Sequence, residues 1–386
     1  MGTRILHLSV VHKPDDPRIC ERECRSLAEA GYDVTYLVPG GDGTRDDHGV
    51  LRAPLPVRGR STRWTSVAEI VRHLRARRPH VLHIHDPELL TLFPAVRAFV
   101  PRLVYDMHEY VPEQVAAKHY IPAAVRPLAG RTTALAQRGL AALGDGAVVV
   151  TDEQLAALGE RPALRAVLPN YPRLSRFLAA EPIPRLAGDP RLKLIYVGSL
   201  SRDRGCSVML DVMERLAPDE AVLYLGGTFA TPDMEAEARG RLAAGLRDRV
   251  ELLGRVPPAE LPRHLAAADV VWVPSVPSTQ YAHPTVPTKL FEGMAVGLAA
   301  LVSDLPGRGE LVRAEDCGFA VPVGLEGHLG GVRRLLADRQ ALTAMGARGR
   351  EAVTRRYSWE RLEGDLIDFY AELTGGVTAT RGVTAT

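Results

Sequence analysis

Histidine and carboxylate residues follow three short apolar runs in the first half of the chain, where strands are expected to end. Imidazole and carboxylate groups in such places can bind sugar hydroxyls or transfer protons. A metal ion is the alternative, and it needs three or four of these ligands to converge. His83 stands inside the apolar run HVLHIH, which favours a buried core histidine. The three groups contain His12, Asp15 and Asp16; His83, His85, Asp86 and Glu88; and Asp106, His108 and Glu109.

A different chemistry is expected in the stretch 276–304, VPSTQYAHPTVPTKLFEGMAVGLAALVSD. A helix should begin at Pro287, which leaves the amides of residues 288–290 without intrahelical acceptors. Lys289 adds a positive charge to this helix start, and Glu292 places a carboxylate one turn further on. A phosphate beside a sugar would satisfy both groups.

The loop GSLSRDRG, after an apolar run at 193–199, supplies further cationic groups. Gly198 allows close approach of the backbone, and Arg202 and Arg204 can reach a diphosphate. Two arginines on a loop are also often only solvated. The loop is not a GxGxxG fingerprint and has no acid about 20 residues on, so no nicotinamide cofactor is expected.

The elements that position these residues alternate between strand and helix patterns in the first half of the chain. Such alternation predicts a parallel sheet with helices on both faces and ligands at the carboxyl ends of the strands. The predicted strands are 4–11, 32–38, 51–57, 80–85, 102–107, 146–150 and a short one through Val167, and the predicted helices are 18–30, 64–77, one from Pro87, and 123–143.

The same alternation restarts after a proline-rich segment and predicts a second doubly wound domain. Its predicted strands are 193–199, 221–226, 250–254, 270–274 and 299–303, with helices from near Gly205, Pro232, Pro258 and Pro287 and a helical pattern from 325 onward. The predicted domains are 1–170 and 191–357, with a linker at 171–190, a last helix at 358–373 that packs back on the first domain, and a disordered tail at 374–386.

Composition sets wide limits on function. The 386 residues suit two domains, and a net charge of +2 argues against a nucleic-acid binder. No apolar run is long enough to span a membrane, and no export signal is apparent. We therefore expect a cytoplasmic protein. The four cysteines are expected to be buried thiols. Trp64 and four arginines in the predicted helix 64–77 and its end could contact a membrane surface, although a solvated face is the simpler interpretation.

Several motifs, in their order along the chain, resemble the retaining glycosyltransferases of the GT-B fold, in the large family 4 group. The motifs are PDDPRICERECRSLAEAGYDVT, HDPELL, YDMHE, LPNYP, YVGSLSRDRG, LLGRVPPAEL, AADVVWVPS and PTKLFEGMAVGLAALVSD. The resemblance covers nearly the whole chain. It implies two Rossmann-like domains that face each other across a cleft, with a nucleotide-sugar donor on the C-terminal domain and an acceptor mainly on the N-terminal one.

The resemblance also assigns roles on the donor side by position. Glu292 would hold the donor ribose hydroxyls, and Leu290 and Phe291 would offer backbone amides to the diphosphate. Arg204 would neutralise that diphosphate, and Arg255 with Val256 would lie where the nucleobase binds. Family frequency favours a UDP-sugar as the co-substrate, with no other cofactor and no metal.

On the acceptor side, the resemblance places His108 near the donor sugar and the reacting hydroxyl. The acceptor would be a small molecule, a saccharide or a lipid-linked group. The residues expected on this side are His12, Asp16, His85, Asp86, Asp106, His108 and Glu109.

Two departures from the family pattern are visible. The glutamate that contacts the transferred sugar in the family is replaced by Pro284, next to His283. The arginine of the family's loop is Ser199 here, and we offer the hypothesis that Arg202 substitutes for it. His283 or the loop backbone would then have to contact the sugar.

Two other functions fit the same architecture. A sugar-nucleotide 2-epimerase shares it but needs carboxylates around the sugar ring. A nucleotide-sugar-binding module without activity would also retain the donor residues.

Overall fold

A computed structural model describes residues 2–56, 66–108, 110, 112, 115, 122–278 and 284–375. The chain folds into two compact units, each built on its own parallel sheet. The N-terminal unit contains Met1–Asn170 and Glu360–Thr386, and the C-terminal unit contains Tyr171–Trp359.

A seven-stranded parallel sheet forms the centre of the N-terminal unit. Its strands are β1 Arg4–Leu8, β2 Asp33–Val38, β3 Leu51–Pro54, β4 Val81–Ile84, β5 Arg102–Met107, β6 Gly146–Val149 and β7 Leu164–Val167. They pair in the order β3-β2-β1-β4-β5-β6-β7. The order reverses between β1 and β4, and ligands of open parallel sheets bind at such a switch point.

Short helices connect these strands. They are the π-helical turn Ile19–Cys24, α1 Arg25–Glu29, α2 Val67–Arg77, the 3₁₀ turn Pro87–Leu92, α3 Phe93–Val96, the 3₁₀ turn Ala123–Val125, α4 Arg126–Ala141 and α5 Asp152–Leu158. The Thr151 side chain caps α5 by accepting from the Gln154 amide at 3.3 Å. The predicted helix 64–77 is observed from Val67, and Trp64 lies outside the described residues.

A six-stranded parallel sheet forms the centre of the C-terminal unit. Its strands are β8 Leu192–Val197, β9 Ala221–Gly226, β10 Val250–Gly254, β11 Val270–Val273, β12 Ala299–Ser303 and β13 Gly318–Val321. They pair in the order β10-β9-β8-β11-β12-β13, so this order reverses between β8 and β11. The loops after these two strands contain GSLSRDRG and the approach to Pro287.

The helices of the C-terminal unit follow the same alternation. They are the 3₁₀ turn Leu174–Arg176, α6 Pro184–Ala187, α7 Cys206–Arg215, α8 Pro232–Arg241 with the π-helical turn Leu242–Leu246, α9 Leu261–Ala266, α10 Thr288–Ala295, α11 Arg308–Ala314, α12 Leu325–Ala337 and α13 Arg339–Arg356.

The last helix, α14 Trp359–Leu373, contributes its residues from Glu360 onward to the N-terminal unit. Its apolar side chains Leu366, Phe369, Tyr370 and Leu373 are buried. Gly146 in β6 lies directly under the Phe369 ring, because a Cβ at Gly146 would be 2.6 Å from the ring's Cζ.

Several elements differ from the sequence prediction. The predicted helix 18–30 is a π-helical turn followed by α1, and the strand β13 and the helices α5 and α11 were not predicted. Residues 171–190, interpreted as a linker, pack in the C-terminal unit, where Leu174, Phe177 and Leu186 are buried with its core. Because of its prolines, this segment shows no helical or strand periodicity in the sequence. Its apolar side chains are nevertheless removed from water.

The sequence predicted that the cysteines are buried and that no segment is long and apolar enough to span a membrane. All four cysteines are free and buried, as predicted. Among the described helices, none has the length and apolar character needed to cross a bilayer. Residues 376–386 of the expected disordered tail lie outside the described part of the chain.

Candidate functional site

Lys289 lies in the first turn of α10 and packs its ammonium group against an aromatic ring. Its Nζ atom is 3.8 Å from the centre of the Tyr196 ring, which makes a cation–π contact. The Tyr196 hydroxyl donates to the Ser199 carbonyl at 2.9 Å, so the loop after β8 fixes the ring. Gly198 has a φ of 151°, and a Cβ there would lie 2.5 Å from the Lys289 Nζ. The positive φ favours glycine here, and a side chain at this position would also displace the end of the lysine.

Charges of both signs surround Lys289. Burial and the positive charge of Arg204 lower the pKa of Lys289 well below its ordinary value, and Arg308 acts in the same direction. Glu292 and Asp203 oppose this shift in pKa. A bound anion would favour the charged lysine, because it replaces hydration that burial removes. The start of α10 can therefore hold a phosphate group.

One backbone amide at this helix start already has an acceptor. The Leu290 amide donates to the Pro287 carbonyl at 2.9 Å, because the first turn is tight. Donation of the Leu290 amide to a diphosphate would require this bond to be exchanged or shared, and it stays a prediction. The side chains of Leu290 and Phe291 are buried in the core of the unit, where they anchor the helix.

The loop after β8 places its two arginines differently. Arg204 is partly buried and acts electrostatically on Lys289. Arg202 is exposed, and its Nη2 donates to Oε2 of Glu237 on α8 at 3.1 Å. Ser199 is exposed as well. The ion pair with Glu237 directs Arg202 towards α8, so the hypothesis that Arg202 replaces the family arginine gains no support.

Two residues expected at the nucleobase lie after β10. Arg255 is exposed and Val256 is partly buried. Val256 packs on the end of β9, because a Cβ at Gly226 would be 2.9 Å from its Cγ2. Both residues thus follow the carboxyl end of a strand, as ligand-binding residues do in this class of sheet.

Arg308 is a cation that the sequence analysis missed. It begins α11, is 0% exposed, and donates from Nη2 to the Thr285 carbonyl at 3.3 Å. The feature of the sequence that could have identified Arg308 is its position in the motif LPGRGE, just after the strand β12. Arg308 thus contacts the loop that contains Pro284, whereas His283 lies outside the described residues.

In the N-terminal unit, His12 and His108 meet at the carboxyl ends of β1 and β5. Their Nε2 atoms are 3.1 Å apart, and Nδ1 of His12 is 2.9 Å from Oδ2 of Asp16. Nδ1 of His12 donates to this carboxylate, and the two Nε2 atoms share a hydrogen bond in which one of them carries the proton. Burial opposes ionisation of Asp16, but the bond with His12 outweighs it and holds the pKa of Asp16 below its usual range.

Asp86 and Asp106 are buried carboxylates that lie next to these histidines. Asp86 accepts from the Val10 amide at 2.6 Å and thereby ties the loop after β1 to the loop after β4. Asp106 accepts two hydrogen bonds from Arg18, at 2.9 and 3.0 Å. Burial opposes ionisation of Asp106, but Arg18 outweighs it and lowers the carboxyl pKa. The role of Arg18 was not predicted from the sequence, where this residue is part of the motif PDDPRIC.

His85 and His83 extend this polar group into the core. Nδ1 of His85 is 3.1 Å from Oδ2 of Asp106, and burial lowers the pKa of His85 to about 4. His83 is fully buried, as predicted for a core histidine. Glu109, the remaining acceptor-side residue, lies outside the described part of the chain.

Comparison with protein families identifies both halves of the chain. Residues 18–171 match the model of the glycosyl transferase 4-like domain, and residues 191–338 match that of the glycosyl transferases group 1. The phosphatidyl-myo-inositol mannosyltransferase of Mycolicibacterium smegmatis is 25% identical over 371 residues, which are 90% of this chain and 88% of that protein. A GDP-mannose-dependent mannosyltransferase of Mycobacterium tuberculosis, which acts on phosphatidylinositol monomannoside, is 31% identical over 164 residues, 42% of this chain and 41% of that protein.

Solved structures share the fold at low sequence identity. Sucrose-phosphate synthase from Thermosynechococcus elongatus has a TM-score of 0.76 and 20% identity, covering 97% of this chain and 99% of that one. The Anabaena protein HepE in complex with UDP-glucose has a TM-score of 0.71 and 16% identity, covering 96% of this chain and 100% of that one. Two Rossmann-like units, two matching family models and these neighbours together place the chain among the group 1 glycosyltransferases of the GT-B fold.

Proposed function

We propose that the protein transfers a sugar from a nucleoside-diphosphate sugar to an acceptor hydroxyl with retention of the anomeric configuration. The observation that carries this proposal is the partly buried Lys289 between Tyr196 and Gly198, with Arg204 and Arg308 close enough to lower its pKa. A diphosphate fits this group of cations by charge. Glu292, one turn further along α10, would accept hydrogen bonds from the ribose hydroxyls.

The proposed reaction breaks the bond between the anomeric carbon and the diphosphate oxygen. Negative charge then grows on the leaving diphosphate, and Lys289, Arg204 and Arg308 stabilise it more strongly than they stabilise the intact donor. The acceptor hydroxyl attacks the same face of the oxocarbenium-like sugar, and its proton passes to the departing phosphate oxygen. This route accounts for retention and needs no pair of carboxylates.

The N-terminal unit is proposed to bind the acceptor through His108 and His12. Asp106 lies 3.6 Å from Nδ1 of His108. A neutral imidazole can accept a hydrogen bond from a sugar hydroxyl of the acceptor. The relatives that act on phosphatidylinositol compounds make a saccharide or lipid-linked acceptor the first class to test.

A UDP-sugar is the proposed donor, supported by the UDP-glucose complex of a structural neighbour. The GDP-mannose-dependent relative makes GDP-sugars the main competitor. A thermal-shift screen of UDP-, GDP-, ADP- and TDP-linked sugars distinguishes them, because a ligand at 100 times its Kd stabilises the fold by about 2.7 kcal/mol. We expect the UDP-sugars to raise the melting temperature most. If no nucleotide sugar shifts it, the proposal fails.

Product analysis tests the reaction itself. The donor that binds best is incubated with saccharide and lipid-linked acceptors, and the anomeric configuration of the product is read by NMR. An α-linked product from an α-linked donor supports retention, and an inverted product contradicts it. The same donor without acceptor serves as the control, since an epimerised sugar nucleotide would instead identify a 2-epimerase.

A further inference from the structure

Four buried side chains of the N-terminal unit converge beneath the acceptor-side residues. They are His7 in β1, Glu23 in the π-helical turn after β1, and His83 and His85 in and just after β4. His7 and His83 are direct partners in the pairing of β1 with β4. None of the four is more than 2% exposed, and one ligand atom from each lies within 4.8 Å of all the others.

The distances within this cluster fit a small cation. The atoms His7 Nδ1, His85 Nε2 and Glu23 Oε2 form a triangle with sides of 2.9, 3.9 and 4.0 Å, and the shortest side is a hydrogen bond between the two imidazoles that a bound ion would replace. The point equidistant from the three atoms is about 2.1 Å from each, which is the usual length of a bond from zinc to nitrogen or oxygen.

Each histidine is oriented by its second ring nitrogen. Nδ1 of His85 is held by Asp106 at 3.1 Å, and Nδ1 of His83 is held by the Tyr370 hydroxyl at 2.6 Å. Nε2 of His7 is 3.3 Å from the same hydroxyl. Metal-binding histidines are characteristically held in this way, with one nitrogen on a carboxylate or another polar group and the other directed at the ion.

Three polar atoms of this cluster are buried and have no hydrogen bond. Nε2 of His83 and both carboxylate oxygens of Glu23 have no hydrogen-bond partner. Nε of Arg18 lies 3.1 Å from Oε1 of Glu23, so this cation compensates one side of the carboxylate. Oε2 is the oxygen that lies near His7 and His85. A buried carboxylate oxygen in this position is costly unless a proton or a cation binds it.

We propose that His7, Glu23, His83 and His85 bind one divalent transition-metal ion, of which Zn²⁺ fits the ligand set best. Three imidazoles and one carboxylate are ligands that zinc prefers, and four protein ligands make a closed structural site. The neighbouring group of His85, Asp106 and His108 is a weaker candidate. Both oxygens of its Asp106 already accept hydrogen bonds from Arg18, whereas neither carboxylate oxygen of Glu23 has a hydrogen-bond partner.

The ion would be structural and would fix the base of the acceptor-side residues. It binds His85, His85 contacts Asp106, and Asp106 lies beside His108. The ion would also connect β1, the π-helical turn and β4, and through Tyr370 it would hold α14. This role is separate from the proposed binding of the donor, which uses Lys289 and its neighbours in the other unit.

Metal content and thermal stability test the proposal on the full-length chain. The protein is produced in medium with added Zn²⁺, desalted, and analysed by inductively coupled plasma mass spectrometry. We expect close to one zinc per chain, a lower melting temperature after treatment with a chelator, and its recovery on addition of Zn²⁺. Substitution of Co²⁺ should give the intense visible absorption of a tetrahedral nitrogen–oxygen site.

Variants locate the ion. Glu23→Gln and His83→Gln should each bind Zn²⁺ at least about tenfold more weakly. His328→Gln is the matched control, because His328 is equally buried but belongs to the C-terminal unit, and it should retain the zinc. The proposal is overturned if the wild-type chain holds no zinc above background and Zn²⁺ does not raise its melting temperature. Zinc retained unchanged in folded Glu23→Gln and His83→Gln would overturn it too.

Discussion

Glu292 and Lys289 lie one helical turn apart on α10, and we propose that they contact different parts of the donor. Lys289 has the cation–π contact with Tyr196 and the two nearby arginines, which suit a diphosphate. Glu292 is the carboxylate that would meet the ribose. Substitutions can separate these two contacts, because the diphosphate and the ribose hydroxyls can be varied independently in the ligand.

Glu292→Ala should remove the recognition of the ribose alone. Hydrogen bonds to a carboxylate contribute about 1.5–3 kcal/mol, so we expect UDP to bind about 10- to 100-fold more weakly to the variant. The wild-type protein should also bind 2′,3′-dideoxy-UDP more weakly than UDP, whereas the variant should bind both equally. Calorimetry measures all four affinities. A variant that still prefers UDP over the dideoxy analogue would remove Glu292 from this role.

Functional residues that share a short motif could be predicted from the sequence. Residues that the fold brings together from distant positions could not. Lys289 and Glu292 lie together in PTKLFEG, so their joint role could be inferred from spacing. Arg308 comes from another strand end, and Arg18 meets Asp106 across 88 positions of sequence. The hydrogen bond that occupies the Leu290 amide depends on how tightly the first turn closes, which the residue types do not specify.

At the scale of elements, close packing fixes where helices lie on the sheets. Gly146 in β6 and Phe369 in α14 illustrate this, since the glycine leaves the space that the ring fills. The strong apolar runs and helix starts of the chain could be predicted because burial and capping depend on local sequence. The short strand β13 and the short helix α11 were missed because their patterns span too few residues to show a period.

Gly146→Ala should weaken the docking of α14. Its Cβ would lie 2.6 Å from the Phe369 ring, and overpacking of this kind costs about 1–3 kcal/mol of unfolding free energy. Adding Phe369→Leu should make the double variant less destabilised than the sum of the single changes. Gly240→Ala in α8 is the control, because its new Cβ would have no atom within 4 Å. Urea unfolding gives the values, and strictly additive effects would refute the contact.

At the scale of the whole molecule, two open sheets place most of the described candidate residues at or beyond the carboxyl ends of strands. The alternation of strand and helix predicted parallel sheets, because parallel strands need such crossovers. The strand orders, and hence the switch points between β1 and β4 and between β8 and β11, depend on long-range pairing that periodicity does not encode. The resemblance to a family implied two Rossmann-like domains, but the strand orders were not predicted.

Acid should destabilise the protein partly through His328. Trp272 donates to its Nδ1 at 3.0 Å, and its Nε2 is 2.9 Å from the Ser303 hydroxyl, so protonation would break the bond to Trp272. Burial lowers the pKa of His328 to about 4, whereas an unfolded histidine titrates near 6.5. The unfolded chain therefore binds more protons in this interval. Stability is complete above about pH 6.5 and falls as the pH decreases towards 4.

The size of this effect is about 2 kcal/mol of unfolding free energy between pH 7 and pH 5. His328→Gln lowers the stability at pH 7 but should remove this part of the pH dependence. Urea denaturation at the two pH values measures it in both proteins. An identical pH dependence in the wild type and the variant would contradict the assignment.

Nucleotide binding by a lysine variant tests the central claim most directly. UDP and GDP are titrated calorimetrically into the wild type, Lys289→Met and Lys193→Met. Lys193 is the matched control, because it lies in the same unit and pairs with Asp269 at 3.1 Å, away from the start of α10. We expect one of the two nucleotides to bind the wild type and Lys193→Met alike, and to bind Lys289→Met about 10- to 100-fold more weakly. Equal affinity in all three proteins, or no binding to the wild type, would contradict the donor site proposed for α10.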